Sequence, residues 1–181
     1  MKKLGTKAAL LVVALVVPAI GVYAVTPETN KVMVKADPLT GYQEATPAGV
    51  STTGSGSFTA EIDEDARTIT YELTYSGLSA PAVVAHIHFG NRFTSGGVSA
   101  FLCGGGSKPA CPAGTTATAT VTGTIIPADV VGPAGQGIAA GEFDELVRAI
   151  RAGMTYANVH TTNFPAGEIR GQINDANQRQ P

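Results

Sequence analysis

The chain has 181 residues, 44% of them hydrophobic and 14% charged, with a formal net charge of −2. That hydrophobic share supports a packed core, and the acidic balance excludes nucleic acid as a partner, because phosphate binding needs a basic face. Two cysteines and three histidines are present, so any metal or redox chemistry rests on few groups.

Lys2, Lys3 and Lys7 precede an apolar run from Ala8 to about Ile20, and "VYA" ends at Ala24. A basic start, an apolar stretch and small or apolar residues at the cleavage positions form the pattern of a secretory signal peptide over residues 1–24. Pro18 favours cleavage. Left uncleaved, Ala8 to Val25 approaches the ~18 residues that span a bilayer and would anchor the chain. No cysteine follows the run, which argues against a lipoprotein anchor. Cleavage removes three lysines and no acid, leaving nine basic and fourteen acidic residues and a formal charge of −5. The remaining length suits one domain. Residues 25–30 read as a linker, 31–174 as the domain and 175–181 as a C-terminal tail.

"KVMVKA" (Lys31 to Ala36) is expected to be the first strand, followed by a turn-rich stretch. "SFTAEI" and "TITYELTY" alternate apolar and polar residues across the short turn "DEDAR", which predicts a hairpin. "AVVAHIHFG" is a further strand. Residues Gly90 to Gly114 are rich in glycine and are expected to form a long loop. It carries Cys103 and Cys111, and an exported chain meets an oxidising compartment, so a disulfide is expected. "TATATVTGTI" sets five threonines opposite Ala117, Ala119, Val121, Gly123 and Ile125, a solvent face against a core face. In "GEFDELVRAIRAG", Phe143, Leu146, Val147 and Ile150 make one helical stripe. Acids fall in the first turn of that helix and arginines in the last, with Gly153 as its stop. "TYANVHT" and "EIRGQI" are two more strands. About seven strands and one short connecting helix predict an all-β fold, an immunoglobulin-like β-sandwich or an open barrel.

Strand side chains alternate between faces. His86 and His88 therefore lie opposite Ala85, Ile87 and Phe89. Tyr156, Asn158 and His160 lie opposite Ala157 and Val159. Glu168, Arg170 and Gln172 lie opposite Ile169, Gly171 and Ile173. If the "HIH" strand neighbours the last two, all three histidines share one face. Two histidines at i and i+2 have Cα atoms about 6.5–7 Å apart, close enough for both rings to reach one ion at about 2.0–2.1 Å. With His160 they form a candidate site for copper or zinc. Glu168 or Glu44 is a candidate fourth ligand, and Glu168 is alternatively a partner that orients a histidine. The competing reading is a structural hydrogen-bond network in which Glu168 and Arg170 form an ion pair. No G-x-S-x-G elbow or paired carboxylates point to hydrolysis, and no catalytic residue is assigned.

"LTGYQEATP", "AHIHFG" and "AGMTYANVHTTNFPAGEIRGQI" resemble the CHRD domain family, over about Lys31 to Ile173. That family is named after chordin, a secreted animal protein, and also occurs singly in exported bacterial proteins. The resemblance implies an extracellular β-sandwich module with no established enzymatic activity. It places His86, His88, His160, Glu168 and Arg170 on the family's own signature and Glu44 on its G-x-Q-E-x-P element. Here that element is one residue longer before the proline, and the cysteine-bearing loop is a departure. A fainter similarity links the H-x-H strand and later histidine to copper–zinc superoxide dismutase. The zinc-loop histidines and aspartate of that enzyme are missing. The expected partner is a protein or the extracellular matrix, with a membrane only if the first segment stays uncleaved. The expected location is secreted, periplasmic or on the cell surface. The alternatives to a metal-holding binding module are a metal-free adhesion or matrix domain and a small metal-dependent redox enzyme.

Overall fold

The computed structural model describes residues 31–46 and 48–175. The expected signal segment and linker lie outside the described residues, as do residues 176–181. The strands are β1 (Lys31–Thr40), β2 (Ser55–Asp63), β3 (Thr68–Ser76), β4 (Ala82–Phe89), β5 (Gly97–Cys103), β6 (Ala119–Ile125), β7 (Thr155–Thr161), β8 (Ile169–Gln172) and β9 (Asn174–Asp175). Helix α1 (Phe143–Arg151) lies in the β6–β7 connection. Among the described residues no helix is long and apolar enough to cross a membrane.

The strands pair in one continuous antiparallel path, β5-β4-β7-β8-β1-β2-β3-β6, with β9 on β1. This is the open-barrel form of the expected all-β fold. The two ends of the path curl toward each other, and the Tyr71 hydroxyl on β3 donates to the Leu102 carbonyl on β5 at 2.7 Å. The core inside the curl holds Phe58, Ile62, Ile69, Leu73, Ile87, Leu102 and Ile125, all buried. These residues come from the apolar rows that alternation predicts. The hairpin of β2 and β3 pairs in unbroken register from Ser55↔Ser76 to Asp63↔Thr68. Its turn closes through the Asp63 carboxylate, which accepts from the Ala66 N–H. On β6, Thr120, Thr122 and Thr124 face solvent while Ala119, Val121 and Ile125 are buried.

Helix α1 buries Phe143, Leu146, Val147, Ala149 and Ile150, the expected stripe with Ala149 added. Asp144 and Glu145 sit in its first turn and Arg148 and Arg151 in its last, the favourable order for the helix dipole.

Two features differ from the sequence expectation. β1 continues past Ala36 to Thr40, through a register break between Ala36 and Leu39. Pro38 lies in the break, where a missing N–H costs no ladder bond. The larger difference is β5. Seven residues of the expected Gly90–Gly114 loop are strand, paired with β4 from Ala85↔Cys103 to Phe89↔Gly97 with two register shifts. Ala100 and Leu102 supply its core row, a pattern too short to stand out among the seven glycines of that segment. The disulfide joins Cys103 at the end of β5 to Cys111, with Cα atoms 5.0 Å apart.

Candidate metal centre

β4 and β7 are neighbours, with His86 opposite Asn158, His88 opposite Tyr156 and Val84 opposite His160. That adjacency brings the three histidines together, and one ring nitrogen from each lies within 4.8 Å of the others. The face they occupy is not open to solvent. His86 and His88 are each 8% exposed and His160 7%. All seven residues of β7 are buried. The covering groups are the 91–96 loop, the 162–167 turn and Phe101 on β5, whose ring meets that of His86 edge-on at 4.7 Å.

Backbone carbonyls set the ring orientation of two histidines. A carbonyl only accepts, so the ring nitrogen facing it carries the proton. His88 Nδ1 donates to the Gly96 carbonyl at 3.0 Å. His160 Nδ1 donates to the Pro165 carbonyl at 3.0 Å. Both Nε2 atoms are then lone-pair donors to anything that sits in the cluster. His86 Nδ1 donates to His160 Nε2 at 3.1 Å, because the His160 proton sits on Nδ1. The spacing is close to the roughly 3.4 Å expected between two nitrogens on one tetrahedral ion, which would replace that hydrogen bond. His88 Nε2 is buried and has no hydrogen-bond partner. An orphaned buried acceptor is costly, and a metal ion is one group that satisfies it. Gly96 is needed at its position, because a Cβ there would lie 1.8 Å from the Phe89 carbonyl oxygen.

Burial is the first cause of the low basicity of all three rings. It lowers His86 to about 3, helped by the neighbouring His160 and His88. It lowers His88 to about 4, against the Gly96 carbonyl and with the charges of His160 and Arg170. His160 is lowered by burial against the Pro165 carbonyl. At neutral pH the cluster is three uncharged imidazoles, the form that ligates metals.

Tyr156 lies parallel to His88, with ring centroids 4.8 Å apart, and its hydroxyl accepts from the Gly96 N–H. The Arg170 guanidinium sits 3.3 Å from the Tyr156 ring centre, from the β8 side. It donates to the Thr94 carbonyl at 2.7 Å and the Asn91 carbonyl at 2.8 Å. Arg170 therefore clamps the loop that supplies the carbonyl for His88. Asn158 donates to the Glu44 carboxylate at 2.6 Å and to the Ile169 carbonyl at 2.9 Å. Burial pushes Glu44 up to about 7, against the Asn158 hydrogen bond and the Arg170 charge. Gly167, at φ +127, leaves room for this pair, since a Cβ there would lie 2.6 Å from Asn158 Nδ2 and 2.7 Å from Glu44 Oε1.

Glu168 joins a buried polar network, one of the roles expected of it, but away from the histidines and without Arg170. It precedes β8, in the bend after Gly167, so strict alternation does not govern it. Its carboxylate turns away from the histidines and accepts from Thr52 Oγ1 (2.6 Å), the Ser79 N–H (2.7 Å), Ser79 Oγ (2.9 Å) and Thr161 Oγ1 (2.7 Å). Burial alone would raise its pKa; these hydrogen bonds outweigh burial and hold it below the usual range. Glu168 is thus neither a fourth ligand nor a histidine-orienting group, and Arg170 spends its donors on carbonyls rather than on Glu168. Glu44 also stays outside the three-histidine group. The carbonyls of Gly96 and Pro165 and the ring of Phe101 were not legible in sequence, because each depends on a loop closure or on β5. "HFG" and "NFPAG" mark turns but not what those turns touch.

Neither a curated protein nor a solved structure matches the chain. The CHRD domain profile matches residues 36–173, more than half of the chain. The match takes in all three histidines, the clamp at Arg170 and the buried Glu168, and the chain belongs to the CHRD domain family.

Proposed function

We propose that this CHRD chain is an exported, non-enzymatic binding module that holds one copper or zinc ion on His86, His88 and His160. The observation that carries the reading is the buried, unpartnered Nε2 of His88. It belongs to a cluster whose other ring nitrogens lie within 4.8 Å. Ser99 Oγ, Thr155 Oγ1 and Gln172 Oε1 are also buried without a partner, but only His88 Nε2 stands in a group of three ring nitrogens. The carbonyl partners of His88 and His160 support the same reading, because such partners fix the tautomer of metal-bound imidazoles. The pattern at residues 1–24 supports export, as does the disulfide.

The test is metal content. The chain is purified without an affinity tag, loaded with copper and with zinc, desalted and analysed by mass spectrometry beside His86→Ala/His88→Ala. The expected result is near-stoichiometric metal that is lost in the variant. A folded wild-type chain that retains neither ion overturns the proposal. N-terminal sequencing of the exported product tests the other half, with Val25 expected as its first residue.

A further inference from the structure

The charge around the three histidines discriminates between ions. Each imidazole is a neutral ligand, so a bound ion keeps its full charge at the site. Among the described residues no carboxylate joins the cluster. Glu168 is spent on four other donors, and Glu44 is held by Asn158. A fixed charge close by is of the wrong sign for a cation. Arg170 lies 3.3 Å over one side of the Tyr156 ring, and the other side stacks on His88.

Holding an uncompensated charge in a dry site costs free energy that grows with the square of the charge. A divalent ion therefore pays about four times the desolvation of a monovalent ion of equal size, and twice the repulsion from Arg170. Coordination number points the same way. Zinc takes four ligands, and where three are histidines the fourth is a water or substrate that needs room. The group supplies three protein ligands. The side next to His86 is filled by the Phe101 ring. Cuprous ion accepts three nitrogen donors in a plane and carries one charge.

We infer that the three-histidine centre is selective for Cu(I) over Zn(II), the selection arising from its lack of an anionic ligand and from Arg170. This rests on the reading of the cluster as a metal site and names its ion. Affinities are measured without oxygen, for Cu(I) against a chromogenic cuprous chelator and for Zn(II) against a chromogenic zinc chelator. The wild-type chain is expected to hold Cu(I) at least about a hundredfold more tightly than Zn(II). Phe101→Asp, which sets a carboxylate beside His86, is expected to strengthen Zn(II) binding at least about tenfold and to change Cu(I) binding less than about threefold. Binding of neither ion by the folded wild type sinks the metal reading itself. Equal affinity for the two ions leaves that reading standing and overturns this inference. An unchanged ratio in a folded Phe101→Asp chain also overturns it. If that variant does not fold, the wild-type ratio decides alone.

Discussion

Glu168→Ala tests the polar staple that closes one end of the barrel. The Glu168 carboxylate is fully buried. It takes hydrogen bonds from three separate segments: Thr52 before β2, Ser79 between β3 and β4, and Thr161 at the end of β7. Hydrogen bonds to a charged group contribute roughly 1.5–3 kcal/mol each, but they are not additive. The three hydroxyls can rotate toward other acceptors, whereas the Ser79 N–H cannot. The expected loss for alanine is therefore about 3–5 kcal/mol, the range for breaking a buried charged network. Glu168→Gln keeps an oxygen toward Thr52 and the Ser79 N–H. Its amide donates to Ser79 Oγ and Thr161 Oγ1, so the expected loss is about 1–2 kcal/mol. Urea unfolding followed by circular dichroism reads both, and with slopes of ~1–3 kcal/mol/M the alanine variant moves the midpoint by roughly 2 M. A domain of ordinary stability, about 5–15 kcal/mol, is left near its threshold. An alanine variant within about 1 kcal/mol of wild type, or one more stable than the glutamine variant, would refute the account.

Stability is expected to fall with acid. The folded-state pKa values of His86 and His88 are lowered to about 3 and about 4 and that of His160 is lowered, so the unfolded chain takes up their protons first. Their contribution is complete above the ordinary histidine value of about 6.5 and is lost by roughly 1.4 kcal/mol per pH unit per ring as pH falls toward the folded values. Glu44, raised to about 7, acts in the opposite sense: its contribution is present below about 4.5 and is lost as pH rises through 7. Glu44→Gln is therefore expected to steepen the acid loss between pH 7 and 5. A flat wild-type profile over that range in urea titrations would contradict the assignment. Cys103→Ser/Cys111→Ser opens a loop of sequence separation 8 and is expected to cost about 2.5 kcal/mol. Differential unfolding with and without reductant checks it, and reductant should not affect the variant. Gly96→Ala brings a Cβ against the Phe89 carbonyl and displaces the partner of His88. A loss of roughly 2–4 kcal/mol is expected in the same urea assay, with weakened metal retention.

Much of this protein was legible in one dimension. Alternation exposed the β2–β3 hairpin, the threonine face of β6 and the opposed rows of β4 and β7, because each depends on neighbours within a few residues. The stripe of α1 was readable for the same reason, as were the cysteine pair and the histidine spacing in "HIH". Alternation assigns a side chain to a face, but not the face to a neighbour. The pairing of β4 with β7, which assembles the three histidines, joins residues about seventy positions apart and was conditional until the fold placed it. β5 was hidden because its apolar row spans few residues within a glycine-rich run. With β5 missing, the Phe101 ring over His86 was missing too. Glu168 was misplaced because it sits one residue outside its strand, where a glycine bend rather than the pleat aims the carboxylate. The tertiary structure alone decided what covers the histidines, which carbonyls hold them and which carboxylates stay away. Those facts come from loop closure and burial, and no local pattern encodes either.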